Sequence, residues 1–390
     1  MEKSFDRKNA LAFILAFGVV SLFGDMAYEG MRGINGQFLG TLGASGTAVG
    51  IIAGGGELAG YLIRLVSGRF VQRSGAYWLF SIGGYALTMA AVPAMAFVFN
   101  WQAAALFVVL ERTGKAIRGP ANSTMMSRAG EQIGQGWAFG VQEALDQTGA
   151  VVGPLITALV LAHHGEYRSA YAWLAVPAVL TMLTVITLAW RFPFAGHVAA
   201  KAAGAAADGL SRAFWLYTAS AALLGFGFAD FSLMAFHFTR AHTIGSAAVP
   251  VLYAAAMGTS GAGALLFGWL FDKRGMGVLV PVILMGAASA PLVFLGSAPQ
   301  AIIGTLLWGL AIGTQNTLTS AAVAKLVPES RRARAYGTFS AIYGTGWFAG
   351  SALLGLLYDH SLFALSLVAV GAQLLALIPF ALAMRAIRRS

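Results

Sequence analysis

The sequence contains no cysteine and little charge, and both shortages limit what the chain can be. Only 10% of its 390 residues are charged, whereas 58% are hydrophobic. Soluble domains average about 25% charged residues, so this chain could not cover a water-facing surface with polar groups. Without cysteine, disulfides, thiolate metal sites and thiol catalysis are excluded. The composition predicts an integral membrane protein whose main solvent is the bilayer.

The net charge of +10 lies mainly in short loops between apolar stretches. Basic residues in such loops set the orientation of a membrane protein, and this distribution does not favour nucleic-acid binding. With the N-terminus in the cytoplasm, nearly all loop Lys and Arg residues fall on the cytoplasmic side, and the outer loops keep little beyond Arg168 and Arg240. Both termini are therefore predicted to be cytoplasmic. The apolar stretch after Lys8 is too long for a cleaved signal peptide, so the first span is expected to remain.

Twelve apolar stretches approach or exceed the roughly 20 residues that a helix needs to cross a bilayer. The predicted spans lie near 10–38, 46–68, 76–99, 101–119, 136–162, 169–190, 213–239, 248–271, 277–297, 299–324, 335–358 and 361–385. The sequence thus predicts an all-α membrane protein with an N-terminal six-helix bundle (1–191), a cytoplasmic linker (192–211) and a C-terminal six-helix bundle (212–390).

Two glycine motifs of the first half recur in the second half at nearly the same offset. The first is Gly68-x3-Gln72-Arg73-x-Gly75, repeated as Gly268-x3-Asp272-Lys273-x-Gly275. The second is Gly140-x8-Gly149-x3-Gly153, repeated as Gly337-x8-Gly346-x3-Gly350. Two matches on equivalent spans indicate related halves, a common plan of transporters that work by alternating access.

On these motifs the chain resembles the major facilitator superfamily over essentially its whole length. Gly268–Gly275 matches the family's cytoplasmic loop motif, whereas Gln72 replaces the acidic residue in the first copy. The fifth span, with Gly140, Gly149, Gly153 and Pro154, is similar to the family's antiporter motif. Thr157 and Ala158 stand where that motif has glycines. The segments Glu111–Arg118, Ala138–Gly140 and Leu145–Ala150 are similar to a bacterial subgroup in which some members are linked to efflux.

The resemblance implies the major facilitator fold, two pseudo-symmetric bundles of six helices, in a bacterial cytoplasmic membrane. It implies gating loops at Gly68, Arg73, Gly75, Gly268, Asp272, Lys273 and Gly275. It also implies helix packing at Gly140, Gly149, Gly153, Pro154, Gly346 and Gly350, and ordinary packing of these small residues is favoured over substrate contact. Pro154 is expected to kink the fifth span.

Ionisable side chains within the predicted spans form the candidate site, because such groups are costly in the membrane and usually face a cavity or a partner. Asp25, Glu29 and Arg32 share one face of span one with Tyr28, at helical spacing. The other candidates, on spans two, four, five, seven and ten, are Glu57, Arg112, Lys115, Glu143, Asp146, Asp230, Gln315 and Asn316.

Depth in the membrane predicts partners for these charges. With a rise of about 1.5 Å per residue, Arg112 and Asp146 fall near the midplane, and Lys115 and Glu143 lie closer to the cytoplasm. Spans four and five are antiparallel neighbours, so ion pairs Arg112–Asp146 and Lys115–Glu143 are expected. His237 and Arg240 could meet Asp230 on span seven.

Two interpretations of this network remain open. Mutually satisfied ion pairs could hold the N-terminal half together, or one carboxylate could carry a proton during transport. Acids far from a basic partner suit the second role best, which favours Asp25 and Glu57.

The leading hypothesis is a proton-coupled secondary transporter that exports a small molecule. The alternative is a proton-coupled importer or symporter, and a membrane channel or sensor is less favoured. The sequence shows no nucleophile–base pair, metal-ligand cluster or nucleotide-binding loop, so neither enzyme activity, a cofactor nor a metal is expected. The expected partners are a small solute, protons and lipid, with no nucleic acid, and the chain is expected to act as a monomer.

Overall fold

A computed structural model describes residues 6–193, 210–327 and 332–389, and the described part of the chain contains no strand. The helices of the first half are α1 (Arg7–Thr41), α2 (Gly46–Ser74), α3 (Tyr77–Ala94), α4 (Trp101–Gly130), α5 (Gln135–His164), α6 (Tyr167–Trp173) and α7 (Ala175–Arg191). Those of the second half are α8 (Arg212–Phe226), α9 (Phe231–Arg240), α10 (Ala248–Arg274), α11 (Leu279–Phe294), α12 (Ala298–Leu326), α13 (Arg332–His360) and α14 (Leu362–Arg389).

The all-α membrane architecture is confirmed. Nine stretches of the described residues are long and apolar enough to cross a membrane, and the 47-residue stretch Ala248–Phe294 contains both α10 and α11. The helices α4 and α12 have the length of a span but are not among these nine stretches. Taking α10 and α11 separately and adding α4 and α12 matches the twelve predicted spans, although the count of twelve stays a prediction.

Three helices differ from the predicted spans in length or continuity. The helix α4 continues to Gly130, well past its expected end near residue 119. Span six is divided between α6 and α7, and span seven between α8 and α9. Most of the predicted linker, residues 194–209, lies outside the described residues.

The chain forms two compact units whose boundaries do not follow the sequence halves. The first unit contains the described residues of Met1–Asn35 and Ala59–Ala202. The second contains Gly36–Leu58 together with the described residues of Ala203–Ser390. The last residues of α1 and the first half of α2 therefore pack with helices of the second sequence half.

The predicted internal repeat corresponds to the same kind of helix contact inside each unit. In the first unit, a Cβ atom at Gly149 or Gly153 would collide with the carbonyl oxygen of Leu22 or Met26 in α1. In the second, a Cβ atom at Gly346 would lie 2.6 Å from the carbonyl oxygen of Ala222 in α8. Gly350 approaches the carbonyl oxygen of Phe226 in the same way. Because only hydrogen fits at these positions, the glycines allow the backbones to pack closely.

Gly140 and Pro154 differ from the other glycine-motif positions. A Cβ atom at Gly140 would meet nothing within 4 Å among the described residues. Pro154 lies inside the continuous helix α5, and the Thr157 hydroxyl donates to its carbonyl oxygen at 2.9 Å. The kink expected at Pro154 stays a prediction.

Candidate functional site

The polar face of α1 carries four of the predicted site residues. Asp25, Tyr28, Glu29 and Arg32 lie along one uninterrupted helix, so the spacing expected from the sequence is preserved. Tyr28 and Glu29 are buried, and Asp25 and Arg32 are half-buried. Arg32 Nη1 lies 3.6 Å from Glu29 Oε1. This face therefore places two carboxylates, a phenol and a guanidinium within the first unit.

A phenol connects a carboxylate of α1 with an ammonium group of α4. The Tyr28 hydroxyl donates to Asp25 Oδ2 at 3.3 Å, and Lys115 Nζ donates to the Tyr28 hydroxyl oxygen. The same Nζ atom lies 3.8 Å from the centroid of the Tyr28 ring. We call Asp25, Tyr28 and Lys115 the relay cluster. The Tyr28 hydroxyl thus links the Asp25 carboxylate to the Lys115 ammonium group.

A second carboxylate, Asp146 of α5, acts on the relay cluster through its charge. Asp25 lies within electrostatic reach of Asp146, Lys115, Glu29 and Arg118. Asp146 Oδ1 is buried without a hydrogen-bond partner among the described residues, and Ser21 is a hydrogen-bonding neighbour of the Asp146 carboxyl. The first unit thus holds two acids close enough to repel each other when both are ionised.

The two expected ion pairs between α4 and α5 are wrong. Lys115 turns toward Tyr28 of α1, whereas Glu143 is exposed and accepts a hydrogen bond from Gln147 Nε2 on its own helix at 2.9 Å. The Arg112 Nε atom lies 3.4 Å from Glu111 Oε2, whereas the Asp146 carboxyl has Ser21 as its hydrogen-bonding neighbour. Residue spacing indicates the depth of each group in the membrane, but it does not determine which face of the helix meets the neighbouring helix.

Arg118, which the sequence did not single out as a site residue, lies near residue 119, the predicted cytoplasmic boundary of span four. It is 5% exposed, because α4 continues beyond that boundary. Its Nη1 donates to Thr88 Oγ1 at 3.0 Å, and its guanidinium lies 4.3 Å from the Tyr85 ring centroid. Its i+3 spacing from Lys115 was the available signal, since these two cations share a helix face.

In the second unit, span seven is interrupted at Gly227–Asp230, between α8 and α9. The freed carbonyl oxygens are satisfied by side chains: Trp308 Nε1 donates to Ala229 at 2.8 Å, and Gln373 Nε2 donates to Gly227 at 3.2 Å. Non-helical backbone at membrane depth is tolerated where protein groups provide such partners. The interruption separates the two helical parts of the span without leaving these two carbonyl groups unpaired.

Asp230 has a structural partner that the sequence did not indicate. It caps α9, and its Oδ1 accepts a hydrogen bond from the Ser232 amide at 2.9 Å. The contacts expected with His237 and Arg240 are wrong, because His237 Nδ1 lies 3.2 Å from the Tyr358 hydroxyl and Arg240 Nη1 lies 3.9 Å from Asp359 Oδ1.

The remaining polar candidates lie on α2 and α12. Glu57 is half-buried on α2, within the part of that helix that belongs to the second unit. Gln315 is buried on α12. Asn316 is on the same helix, but its side chain lies outside the described residues.

Each of the two predicted gating loops contains a glycine with positive φ at the end of its helix. Gly75 follows α2 with φ 65°, and Gly275 follows α10 with φ 70°. A positive φ favours glycine, which explains why both copies of the motif end on this residue. Gly68 and Gly268 lie one to two turns before these helix ends, and Arg73, Asp272 and Lys273 are exposed. Lys273 Nζ lies 3.9 Å from the Trp269 ring centroid.

Comparison with known proteins gives three kinds of similarity. The family model of the Major Facilitator Superfamily matches residues 10–351. An uncharacterized protein of Mycobacterium tuberculosis is 38% identical over 381 residues, which cover 95% of this chain and 92% of that protein.

Two solved structures share the fold at low sequence identity. The crystal structure of a point mutant of the nucleoside transporter NupG has a TM-score of 0.76 and 14% identity, covering 96% of this chain and 99% of that one. The crystal structure of a point mutant of the peptide transporter POT, in complex with sulfate, has a TM-score of 0.81 and 14% identity, covering 99% of both chains.

Proposed function

The chain belongs to the major facilitator superfamily and is a multi-pass membrane transport protein; from that premise we propose that it is a proton-coupled secondary transporter that exports a small solute. The observation that carries the proposal is the relay cluster. Ionisable groups inside a membrane protein usually mark ion or substrate pathways. Here the Tyr28 phenol contacts both the Asp25 carboxyl group and the Lys115 ammonium group within one unit.

Asp25 is the proposed proton carrier. When Asp25 is ionised, the Lys115 ammonium group balances its charge through the Tyr28 hydroxyl. The negative charge of Asp146 disfavours this ionised form, because two neighbouring carboxylates repel each other. Proton uptake by Asp25 removes its attraction for Lys115 and leaves the ammonium group free to change partner. Such a change of charge and contact can bias a carrier between two conformations, since a bound proton then interacts differently with each.

Export is supported by the antiporter-like glycines of α5, which lie directly against α1, the helix that carries Asp25. The alternative is import by proton symport, because the relay cluster suits either direction. We place the protein in the bacterial cytoplasmic membrane with both termini in the cytoplasm, acting as a monomer without cofactor or enzymatic activity. The distribution of Lys and Arg supports the orientation.

The experiment uses purified protein in liposomes with an imposed pH gradient. The solutes are nucleosides and short peptides, the classes named for the two structurally similar transporters, together with small organic cations and anions. We expect at least one solute to accumulate against its concentration gradient, and Asp25→Asn to abolish that accumulation. Glu131→Gln, which removes an exposed acid beyond the end of α4, is the matched control and should retain it. Equal accumulation by Asp25→Asn and the parent protein would exclude Asp25 as the carrier.

A further inference from the structure

The last residues of α1 lie directly against α9 within the second unit. A Cβ atom at Gly36 would collide with the carbonyl oxygen of Ser232, and one at Gly40 would lie 3.0 Å from the Phe236 ring. The Gln37 side chain, fully buried, donates through Nε2 to the carbonyl oxygen of Ser246 at 3.1 Å. These contacts join a segment of the first sequence half to a segment of the second.

The first turns of α2 make a similar close contact with α13. A Cβ atom at Gly50 would collide with the carbonyl oxygen of Ser351, and one at Gly54 would lie 2.7 Å from the Ser351 Cβ atom. From the other side, a Cβ atom at Gly355 would lie 2.6 Å from the Gly46 carbonyl oxygen. Gly46, Gly50 and Gly54 of α2 thus form a flat contact surface with α13, which we call the seam. The two helices can separate along the seam without withdrawing large side chains from pockets.

A carboxylate closes the end of this seam. Asp359 Oδ1 accepts a hydrogen bond from the Gly46 amide at 2.9 Å, and Oδ2 accepts from the Thr47 amide at 2.8 Å and the Thr47 hydroxyl at 2.7 Å. These amides belong to the unpaired first turn of α2, where a negative charge is stabilising. Arg240 Nη1 lies 3.9 Å from the same carboxylate, and its side chain is largely exposed. Asp359, on α13, therefore accepts three hydrogen bonds from the first turn of α2.

We infer that Asp359 is the latch of the gate at the α1–α2 turn end, and that its three hydrogen bonds to the first turn of α2 hold this gate closed. A carrier that works by alternating access must separate its sequence halves at one end and then at the other. Residues 36–58 come from the first half but pack inside the second unit, so their contacts must break when this end opens. The seam suits such a break because it is smooth, and because Ser351 Oγ is buried with no hydrogen-bond partner among the described residues. The inference rests on alternating access and does not depend on the identity of the coupling ion.

The test measures opening with a thiol placed inside the seam. The parent chain has no cysteine, so Ser351→Cys provides the only thiol, at a position that is 2% exposed. The rate at which a bulky maleimide labels this thiol in purified, detergent-solubilised protein reports how often the seam opens. Asp359→Ala on the Ser351→Cys background is expected to raise the labelling rate about tenfold, since three hydrogen bonds to a charged group are lost.

The control removes an exposed acid that precedes a helix without capping it. Glu166 is exposed and precedes α6 with no hydrogen bond from its side chain to the first turn. Glu166→Ala on the same reporter background should leave the labelling rate unchanged. Size-exclusion profiles of all variants must match the parent profile, so that a faster rate reflects opening and not unfolding.

A wedge variant tests the seam independently of the latch. Gly50→Val inserts a branched side chain against the Ser351 carbonyl oxygen, whereas Gly60→Val is on the same helix at a position where a Cβ atom would meet nothing within 4 Å among the described residues. We expect Gly50→Val to increase labelling at least as strongly as Asp359→Ala, and Gly60→Val to leave it unchanged.

The outcomes separate the gate from the proposed function. Faster labelling in Asp359→Ala and Gly50→Val, with both controls unchanged, supports the gate. Labelling that stays at the parent rate in both variants, with folded protein, overturns it. Because maleimide labelling requires neither a pH gradient nor a known substrate, failure of proton coupling would leave this result intact, and failure of the gate would leave the accumulation assay intact.

Discussion

At the scale of single residues, the Tyr28 hydroxyl is the atom on which the proposed coupling depends. It donates to Asp25 and accepts from Lys115, so it is the only described group that contacts both charges through hydrogen bonds. The aromatic ring makes a separate contact with Lys115 Nζ. Tyr28→Phe removes the hydroxyl and keeps the ring, which separates the two contributions.

We expect Tyr28→Phe to reduce pH-driven solute accumulation about tenfold or more. Losing the hydroxyl leaves two half-buried charged groups without their shared partner, a loss of roughly 1–3 kcal/mol. Initial rates in liposomes would measure the effect, and a thermal melt would check that the protein remains folded. Tyr61→Phe, on α2, serves as the comparison for loss of a phenol at a half-buried position outside the relay cluster. Unchanged accumulation in Tyr28→Phe would rule out the hydroxyl as a bridge.

At the scale of helices, glycines on the same motif have different roles according to the surface that they face. Gly153 approaches the backbone of α1 at Met26 and Gly30, whereas Gly140, on the same helix, faces open space among the described residues. The motif spacing alone gave both positions the same packing role. Only the neighbouring helix distinguishes them, because helix packing depends on which face meets a partner.

We expect Gly153→Val to destabilise the protein by at least about 1–3 kcal/mol, the usual cost of overpacking a close contact. Gly140→Val is the matched variant on α5 and should be close to neutral. Thermal unfolding in detergent, followed by the fraction of monodisperse protein after heating, measures the difference. Equal stability of the two variants would contradict the close contact between α5 and α1.

At the scale of the whole molecule, apolar stretches were sufficient to predict the helical membrane architecture. Each predicted span falls largely within helical structure, because hydropathy and span length are properties of the local sequence. The glycine repeat likewise predicted related contacts at Gly149 and Gly346, since small residues in a membrane helix mark close approach.

The partners of the charged residues could not be predicted to the same degree. Lys115 was paired with Glu143 on the neighbouring helix, but its side chain points to Tyr28 of α1. Asp230 was assigned to span seven, predicted as one stretch near 213–239, but the span is interrupted and Asp230 caps the helix that follows. Rotation of a helix about its axis and breaks within a span depend on tertiary contacts, which a single sequence does not specify.

Asp25-dependent exchange of protons for a solute is the central claim, and its most direct measurement is the internal pH of liposomes that contain the purified protein. A pH-sensitive dye is enclosed, no pH gradient is imposed, and a solute identified in the accumulation assay is added outside. If solute and protons are exchanged, solute entry drives protons out, so we expect the internal pH to rise in the parent protein and to stay constant in Asp25→Asn. A fall in internal pH would show symport and contradict export by exchange. Solute entry without any pH change in the parent protein would contradict proton coupling itself.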